Sequence, residues 1–276
     1  MATPPSSVPA EVDYISGKTR LYGIVGDPIV QVRSPEMFTG VFRHRDIDAI
    51  LLPLHVLPDA FDATLRGLMA LANLDGLIFT IPYKARALAL AATIGPQARI
   101  VGAINALARD GERWKGEIFD GLGCVEAFRR RGIALRGRRM TLVGAGGAGS
   151  AIAVAIAHEK PAFMRIYDVD RVRVEALAGK IQRVSPGTQV EAAAPRIDDV
   201  DVLLNATPIG MLDDARLPLA VDRVPSQVVV FDAIVKPERT PLIQLAESCG
   251  CTTVYGREMM RGQVDRMVDY FTGVAT

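Results

Sequence analysis

The run Val143–Ser150, VGAGGAGS, constrains this chain more than any other stretch. It follows an apolar, strand-like RRMTLV and opens an alanine-rich helix pattern, AIAVAIAH. Gly144, Gly146 and Gly149 therefore stand as G-x-G-x-x-G at a strand-to-helix turn, with Gly147 among them. The first glycine allows the tight turn, the second lets backbone approach a pyrophosphate, and the third lets helix and strand pack closely. The helix start then offers unpaired N–H groups and the positive end of its dipole. A glycine-rich turn with no ligand has the same letters, so the flanking strand and helix carry the reading. Asp168 closes the next strand-like run, FMRIYDVD, roughly 20 residues beyond the glycines, where a carboxylate accepts both ribose hydroxyls of a dinucleotide. A 2′-phosphate there meets like charge, so NAD is expected over NADP. The plainer alternative makes Asp168 a helix N-cap, a task Asp170 can share.

Strand-like and helix-like runs alternate on both sides of this unit. RLYGIVG and DAILLPLHV are apolar and β-branched, DAFDATLRGLMALA is amphipathic, LDGLIFTIP is a third strand, and ALALAATI reads as a helix. That rhythm predicts a parallel α/β sheet, followed by a β-hairpin turning at Asp110-Gly111. Near Asp120 the pattern restarts. CVEAFRRRGI is a helix ended by Gly132; the glycine-rich unit and the runs QVEAAA, VDVLLNATP, VVVFDAI and TTVYG follow, with a last helix from about Arg257. The expected fold is α/β. An N-terminal α/β substrate domain (1–119) precedes a doubly wound Rossmann NAD(P)-binding domain (120–255), and a C-terminal helix (256–276) returns to the first domain. Ligands commonly sit in the cleft between two such domains.

Composition excludes several other classes. The 276 residues suffice for two domains, and a formal net charge of +1 gives no electrostatic reason to expect nucleic acid or an anionic membrane as partner. No apolar run approaches the ~18–20 residues of a membrane span. MATPPSSVPAEVDY lacks the order of a signal peptide and reads as a mobile tail. The three cysteines and three histidines have neither disulfide nor zinc spacing. A cytoplasmic, metal-free protein, monomer or homodimer, is expected.

Other residues invite chemical readings. In FTIPYKARAL, Lys84 sits where the chain turns out of a strand; it is either a solvated helix residue or a lysine aimed into a cleft. A lysine that takes a hydroxyl proton works best with its pKa lowered to ~7–8, whereas a nearby acid pulls the other way. Asn105 and Asp120 are polar residues in apolar surroundings, fit for a site or for backbone capping. In LLNATPIGM, Asn205 and Thr207 are candidate hydrogen-bond partners of a cofactor, beside Pro208 and Gly210; the alternative is an ordinary strand-ending turn. Gln263 faces solvent or cleft, whereas Met259, Met260 and Met267 suit core packing. The histidines form no nucleophile–base arrangement, and Arg129–Arg131 reads as a solvated helix end.

Taken in order, GDPIVQVRSP, FTIPYK, GAIN, FDG, GAGGAG, NATPIGM, DAIVKPERTPL and GREMMRGQ resemble the shikimate/quinate dehydrogenase family over Leu21 to Phe271. The resemblance implies hydride transfer between a nicotinamide cofactor and a ring hydroxyl of a cyclic carboxylate. It implies Lys84 as catalytic lysine and Asp120 as its acidic partner. Thr80, Asn105 and Gln263 would hold ring hydroxyls, and Ser34 the carboxylate. The departures are specific. Val32 replaces a serine of the first motif, Ile118-Phe119 replace Asn-Thr ahead of Asp120, and Val235 stands where tyrosine is usual. All three make the pocket more apolar, and one lost hydrogen bond to a carboxylate is worth roughly 1.5–3 kcal/mol. Where NADP-linked members show Asn-Arg-Thr, this chain has Asp168-Val169-Asp170. Three readings stand: an NAD-linked enzyme with altered substrate preference, an ordinary NADP-linked shikimate dehydrogenase of aromatic amino-acid biosynthesis, and a non-catalytic nucleotide-binding sensor.

Overall fold

The computed structural model describes residues 15–273, and the tail expected over 1–14 lies outside them. Three parallel strands begin the first sheet: β1 (Arg20–Gly26), β2 (Ala49–His55) and β3 (Leu74–Phe79). Helix α1 (Ser34–His44) crosses from β1 to β2 and buries Phe38 and Phe42, four residues apart and so on one face. Helix α2 (Phe61–Met69) crosses to β3 and buries Phe61 and Leu65 by the same spacing.

Two expectations for this half need correction. ALALAATI is not a helix: Arg86–Leu90 makes a 3₁₀ turn, and Thr93–Ile94 forms a short strand, β4, before α3 (Pro96–Val101). A sheet edge captures the backbone of this stretch instead, with Ala92 N donating to Trp114 O and Gly95 N to Gly116 O at 2.8 Å each. Nor is the sheet all parallel. β5 (Ala106–Asp110) and β6 (Arg113–Glu117) form the hairpin expected at Asp110-Gly111, and β5 runs antiparallel to β3. A two-residue turn can return a strand only in the antiparallel sense. The order is β2-β1-β3-β5-β6-β4.

The second sheet comprises β7 (Arg139–Val143), β8 (Phe163–Tyr167), β9 (Gln189–Ala192), β10 (Val202–Asn205), β11 (Val229–Asp232) and β12 (Thr253–Tyr255), all parallel. Its order, β12-β11-β10-β7-β8-β9, is the doubly wound one, with the chain reversing direction across the sheet between β7 and β10. Helices α5 (Gly147–His158), α6 (Arg171–Val184) and α7 (Pro241–Ser248) cross between strands. No helix among the described residues is long and apolar enough to cross a membrane.

Helix α4 (Asp120–Arg130) leads from one sheet to the other, and α8 (Gly256–Thr272) closes the structure. The two cross at contact distance because both are glycine there. A Cβ on Gly123 would lie 2.4 Å from Met259 O, and one on Gly262 2.7 Å from Gly123 O. Beyond the crossing, α8 buries Val264, Met267, Val268 and Phe271 against Tyr22, Phe38 and Phe42 of the first domain. Arg45 ties α8 down through Asp265 at 2.6 Å and Asp269 at 2.5 Å. The C-terminal helix thus returns to the first domain.

Candidate active site

Lys84 follows β3 by five residues, past Thr80-Ile81-Pro82, and its backbone carbonyl accepts from Ile104 N at 2.9 Å. Its Nζ donates to Asp120 Oδ2 at 2.5 Å, and the two side chains are only 16% and 5% exposed. Lys84 is therefore a largely buried, paired lysine and not a solvated surface one. Asp120 opens α4 without capping it; its carboxylate is turned to the lysine instead.

Asn105 is buried and joins three segments. Its Oδ1 accepts from Phe119 N at 2.9 Å, its Nδ2 donates to Gln263 Oε1 at 3.3 Å, and its backbone bridges β3 and β6. It does the backbone capping that was one of its two readings and also reaches Gln263 of α8. Gln263 faces inward to Asn105, and a Cβ on Gly123 would stand 3.1 Å from the Cβ of Gln263. Thr80 packs its methyl over Gly26, a position where a Cβ would come within 2.3 Å. Ser34 is buried at the start of α1. Neither the Thr80 nor the Ser34 hydroxyl has a hydrogen-bond partner among the described residues, so both are free for a ligand.

The glycine-rich loop adjoins this cluster from the other domain. Gly144 is in the left-handed region, φ +104°, and a Cβ there would lie 2.8 Å from Ala206 carbonyl carbon. A Cβ on Gly149 would lie 2.0 Å from Gly144 O, so helix and strand touch. Gly146, at the start of α5, faces open space, and no side chain caps the helix. A pyrophosphate fits this arrangement: free N–H groups, a dipole end and nothing in the way. At Gly147 a Cβ would stand 3.1 Å from the Cβ of Lys84, which brings the loop against the lysine.

Asp168 is half-buried; one carboxylate oxygen accepts from Ala145 N at 2.7 Å and the other from Asp170 N at 2.9 Å. Asp170, not Asp168, caps α6 through Val172 N and Arg173 N. Asn205 corrects the sequence reading. It is fully buried, its Nδ2 donates to Asp232 Oδ1 at 3.1 Å, and its Oδ1 accepts from Thr207 N and Oγ1. Its side chain builds the loop and has no group left for a cofactor. Thr207 is similarly engaged, whereas Pro208 is exposed.

Two features escaped the sequence reading. Glu117 is a buried carboxylate that accepts from Ala98 N at 2.6 Å and Ile118 N at 2.8 Å, fixing the segment that carries Asp120; burial pushes its carboxyl above the usual range. Its charge within the apolar-flanked WKGEIFDG was the available signal. Asp232 sits beneath the NATPIGM loop, holding Asn205 and Thr240, with its carboxyl pushed up to about 6 by burial.

The chain is similar to known proteins along most of its length. Residues 24–107 match the family model described as the shikimate dehydrogenase substrate binding domain. The shikimate dehydrogenase (NADP(+)) of Anaeromyxobacter sp. (strain Fw109-5) is 34% identical over 269 residues, 95% of this chain and 94% of that protein. Shikimate 5-dehydrogenase from Listeria monocytogenes, solved with shikimate and NAD, superposes with a TM-score of 0.81 at 28% identity, covering 94% and 93% of the two chains. Quinate dehydrogenase from Corynebacterium glutamicum, solved with NAD, gives 0.76 at 25%, covering 93% and 94%. With its doubly wound sheet, its glycine-rich loop against a buried lysine–acid pair, and relatives matched end to end, this chain belongs to the shikimate dehydrogenase family of NAD(P)-dependent oxidoreductases.

Proposed function

We propose that the protein is an NAD-linked dehydrogenase that interconverts a ring hydroxyl and a ketone on a shikimate- or quinate-like cyclic hydroxy acid. The observation that carries this reading is the Lys84–Asp120 pair beside the glycine-rich loop. Nicotinamide, when bound, accepts or supplies the hydride. In the oxidative direction Lys84 Nζ takes the hydroxyl proton as the ring carbon gives up its hydride, and in reduction it returns that proton. Asp120 fixes the amine and balances the ammonium that forms. Thr80, Asn105, Gln263 and Ser34 orient the ring. Domain limits at 119/120 and 255/256 and a cytoplasmic setting belong to the same proposal; the free cysteines suit a reducing compartment.

The surroundings of Asp168 support NAD. The two arginines near enough in sequence to neutralise a 2′-phosphate are engaged elsewhere, Arg171 with Glu175 and Arg173 with Asp170, each at 3.0 Å. Val169, 92% exposed, carries no charge. At an effective dielectric near ~20, like charges in contact repel by a few kcal/mol, enough for a preference above tenfold. A nucleotide sensor would have no use for the buried proton-transfer pair.

The test is a panel of shikimate and quinate, each with NAD and NADP, followed by the appearance of reduced nicotinamide. Turnover with NAD on at least one acid is expected. Higher catalytic efficiency with NADP would sink the cofactor assignment, and silence in all four combinations would favour the sensor.

A further inference from the structure

We infer that Asp232 is a positioning residue for the nucleotide: by fixing which way the Asn205 amide points, it holds the loop after β10 where that loop walls the nucleotide crevice. At 1% exposure Asp232 touches no ligand and acts through Asn205. This inference rests on the cofactor half of the reading above and adds a residue to it.

A doubly wound sheet takes its ligand outside the carboxyl ends of the strands, where the strand order reverses. Here that point lies between β7 and β10. The glycine-rich turn after β7 forms one side of it, and the loop Ala206–Met211 after β10 forms the other. The two sides touch. Ala206 N donates to Val143 O at 2.8 Å, and a Cβ on Gly144 would lie 2.8 Å from Ala206 O. A Cβ on Gly149 would lie 3.3 Å from the Cβ of Ala206. A displaced loop therefore disturbs the turn on which a pyrophosphate rests.

The loop spends its N–H groups inside the protein. Ala206 gives its own to Val143 O, Thr207 to Asn205 Oδ1, Ile209 to Thr207 Oγ1, Gly210 to Asp214 and Met211 to Pro208 O. It contributes to a nucleotide site by where it stands. Asn205 sets that place: its Oδ1 accepts from Thr207 N at 3.0 Å and Thr207 Oγ1 at 2.7 Å, and its Nδ2 donates to Ile209 O at 3.4 Å. A reversed amide would turn its NH2 toward two donors. The two ends of an amide have nearly the same shape, so packing alone does not choose between them. Asp232 does. Its Oδ1 accepts from Asn205 Nδ2 at 3.1 Å and Ile234 N at 3.0 Å, and its Oδ2 from Thr240 Oγ1 at 2.7 Å. Burial pushes its carboxyl up to about 6, so above that pH it has no proton to give, and only the NH2 end of Asn205 suits it. Asp232, Asn205, Thr207 and Ile209 thus form one chain of hydrogen bonds with a fixed sense.

Three variants separate positioning from mere support. Asp232→Leu removes the acceptor at similar volume. Asp232→Asn keeps an oxygen for the Asn205 amide and turns its own NH2 to the Thr240 hydroxyl, which can accept. Thr240→Val loosens the same carboxylate and the cap of α7 without touching Asn205. NADH is titrated into each by nicotinamide fluorescence, and KM is measured for NAD and for whichever hydroxy acid turns over. Asp232→Leu is expected to weaken NADH binding and raise KM for NAD by about tenfold or more, with KM for the acid unchanged. Asp232→Asn should bring NADH affinity back to within about threefold of wild type. Thr240→Val should lower the midpoint of denaturant unfolding and leave NADH affinity alone. If Asp232→Leu lacks a cooperative unfolding transition, Asn205→Ala deletes the amide itself and should show the same loss of affinity. Unchanged NADH affinity in these variants, or an equal loss in Thr240→Val, overturns the inference. The expected NADH pattern with no turnover of any acid would instead overturn the dehydrogenase reading and leave the inference standing.

Discussion

Lys84 and Asp120 are 36 residues apart in sequence and share one short hydrogen bond, so each side chain is an accessory to the other. Lys84→Ala should lower turnover by at least ~10²-fold while NADH affinity barely changes, because the lysine touches the loop only through its stem. Retention of more than about a tenth of wild-type turnover would remove Lys84 from the proton path. Cofactor choice is also set residue by residue. Asp168→Ser with Val169→Arg removes one charge and adds the opposite one at an exposed position that needs no repacking. The kcat/KM ratio should swing toward NADP by more than about tenfold. If the unaltered protein already prefers NADP, the role of Asp168 is wrong.

Elements meet through buried polar groups and bare glycines. Asp232 at the end of β11 accepts from Asn205 on β10, from Ile234 N and from Thr240, the cap of α7. Burial raises its pKa from 3.8 to about 6. The folded state therefore holds the proton more tightly than the unfolded chain. Its stabilising contribution is present below 3.8 and is lost as pH rises through about 6. Asp232→Asn should flatten that slope, so the difference in urea-unfolding stability between wild type and variant should change between about pH 4 and pH 7. A difference constant with pH would show that the carboxyl does not titrate there. The α4–α8 crossing gives a steric prediction. Gly262→Ala puts a methyl 2.7 Å from Gly123 O, and overpacking against backbone costs about 1–3 kcal/mol. The midpoint of denaturant unfolding reports it, and a neutral substitution would mean the helices slide apart freely.

For the whole molecule, α8 is a clasp. Four of its buried residues, Val264, Met267, Val268 and Phe271, pack on the first domain and contribute about 1.5–3 kcal/mol each, or about 6–12 together. That is comparable with the 5–15 kcal/mol net stability of an ordinary domain. A chain ended at Tyr255 should therefore bind an apolar dye and lose cooperative unfolding. A soluble truncated form with a sharp transition would show that the first domain stands alone. The same helix brings Gln263 to Asn105, so the clasp and the substrate site share one element.

Local signals carried much of this protein. The strand, glycine turn and helix around Gly144–Gly149, the hairpin at Asp110-Gly111 and the amphipathic spacing of α2 depend on neighbours within a few residues, so the sequence alone determined them. ALALAATI misled for the same reason: alanine and leucine favour a helix locally, but β6, some twenty residues further on, claimed the backbone. Asn205 looked like a ligand group because its letters are polar at a strand end. Only the arrival of Asp232, 27 residues later, turned its amide inward. Lys84 could be placed after a strand from sequence, but its direction could not, because its partner Asp120 lies 36 residues further on and meets it only in the folded chain. Propensity and turn chemistry are short-range. Burial and pairing are set by what the folded chain brings alongside, and those decided the site.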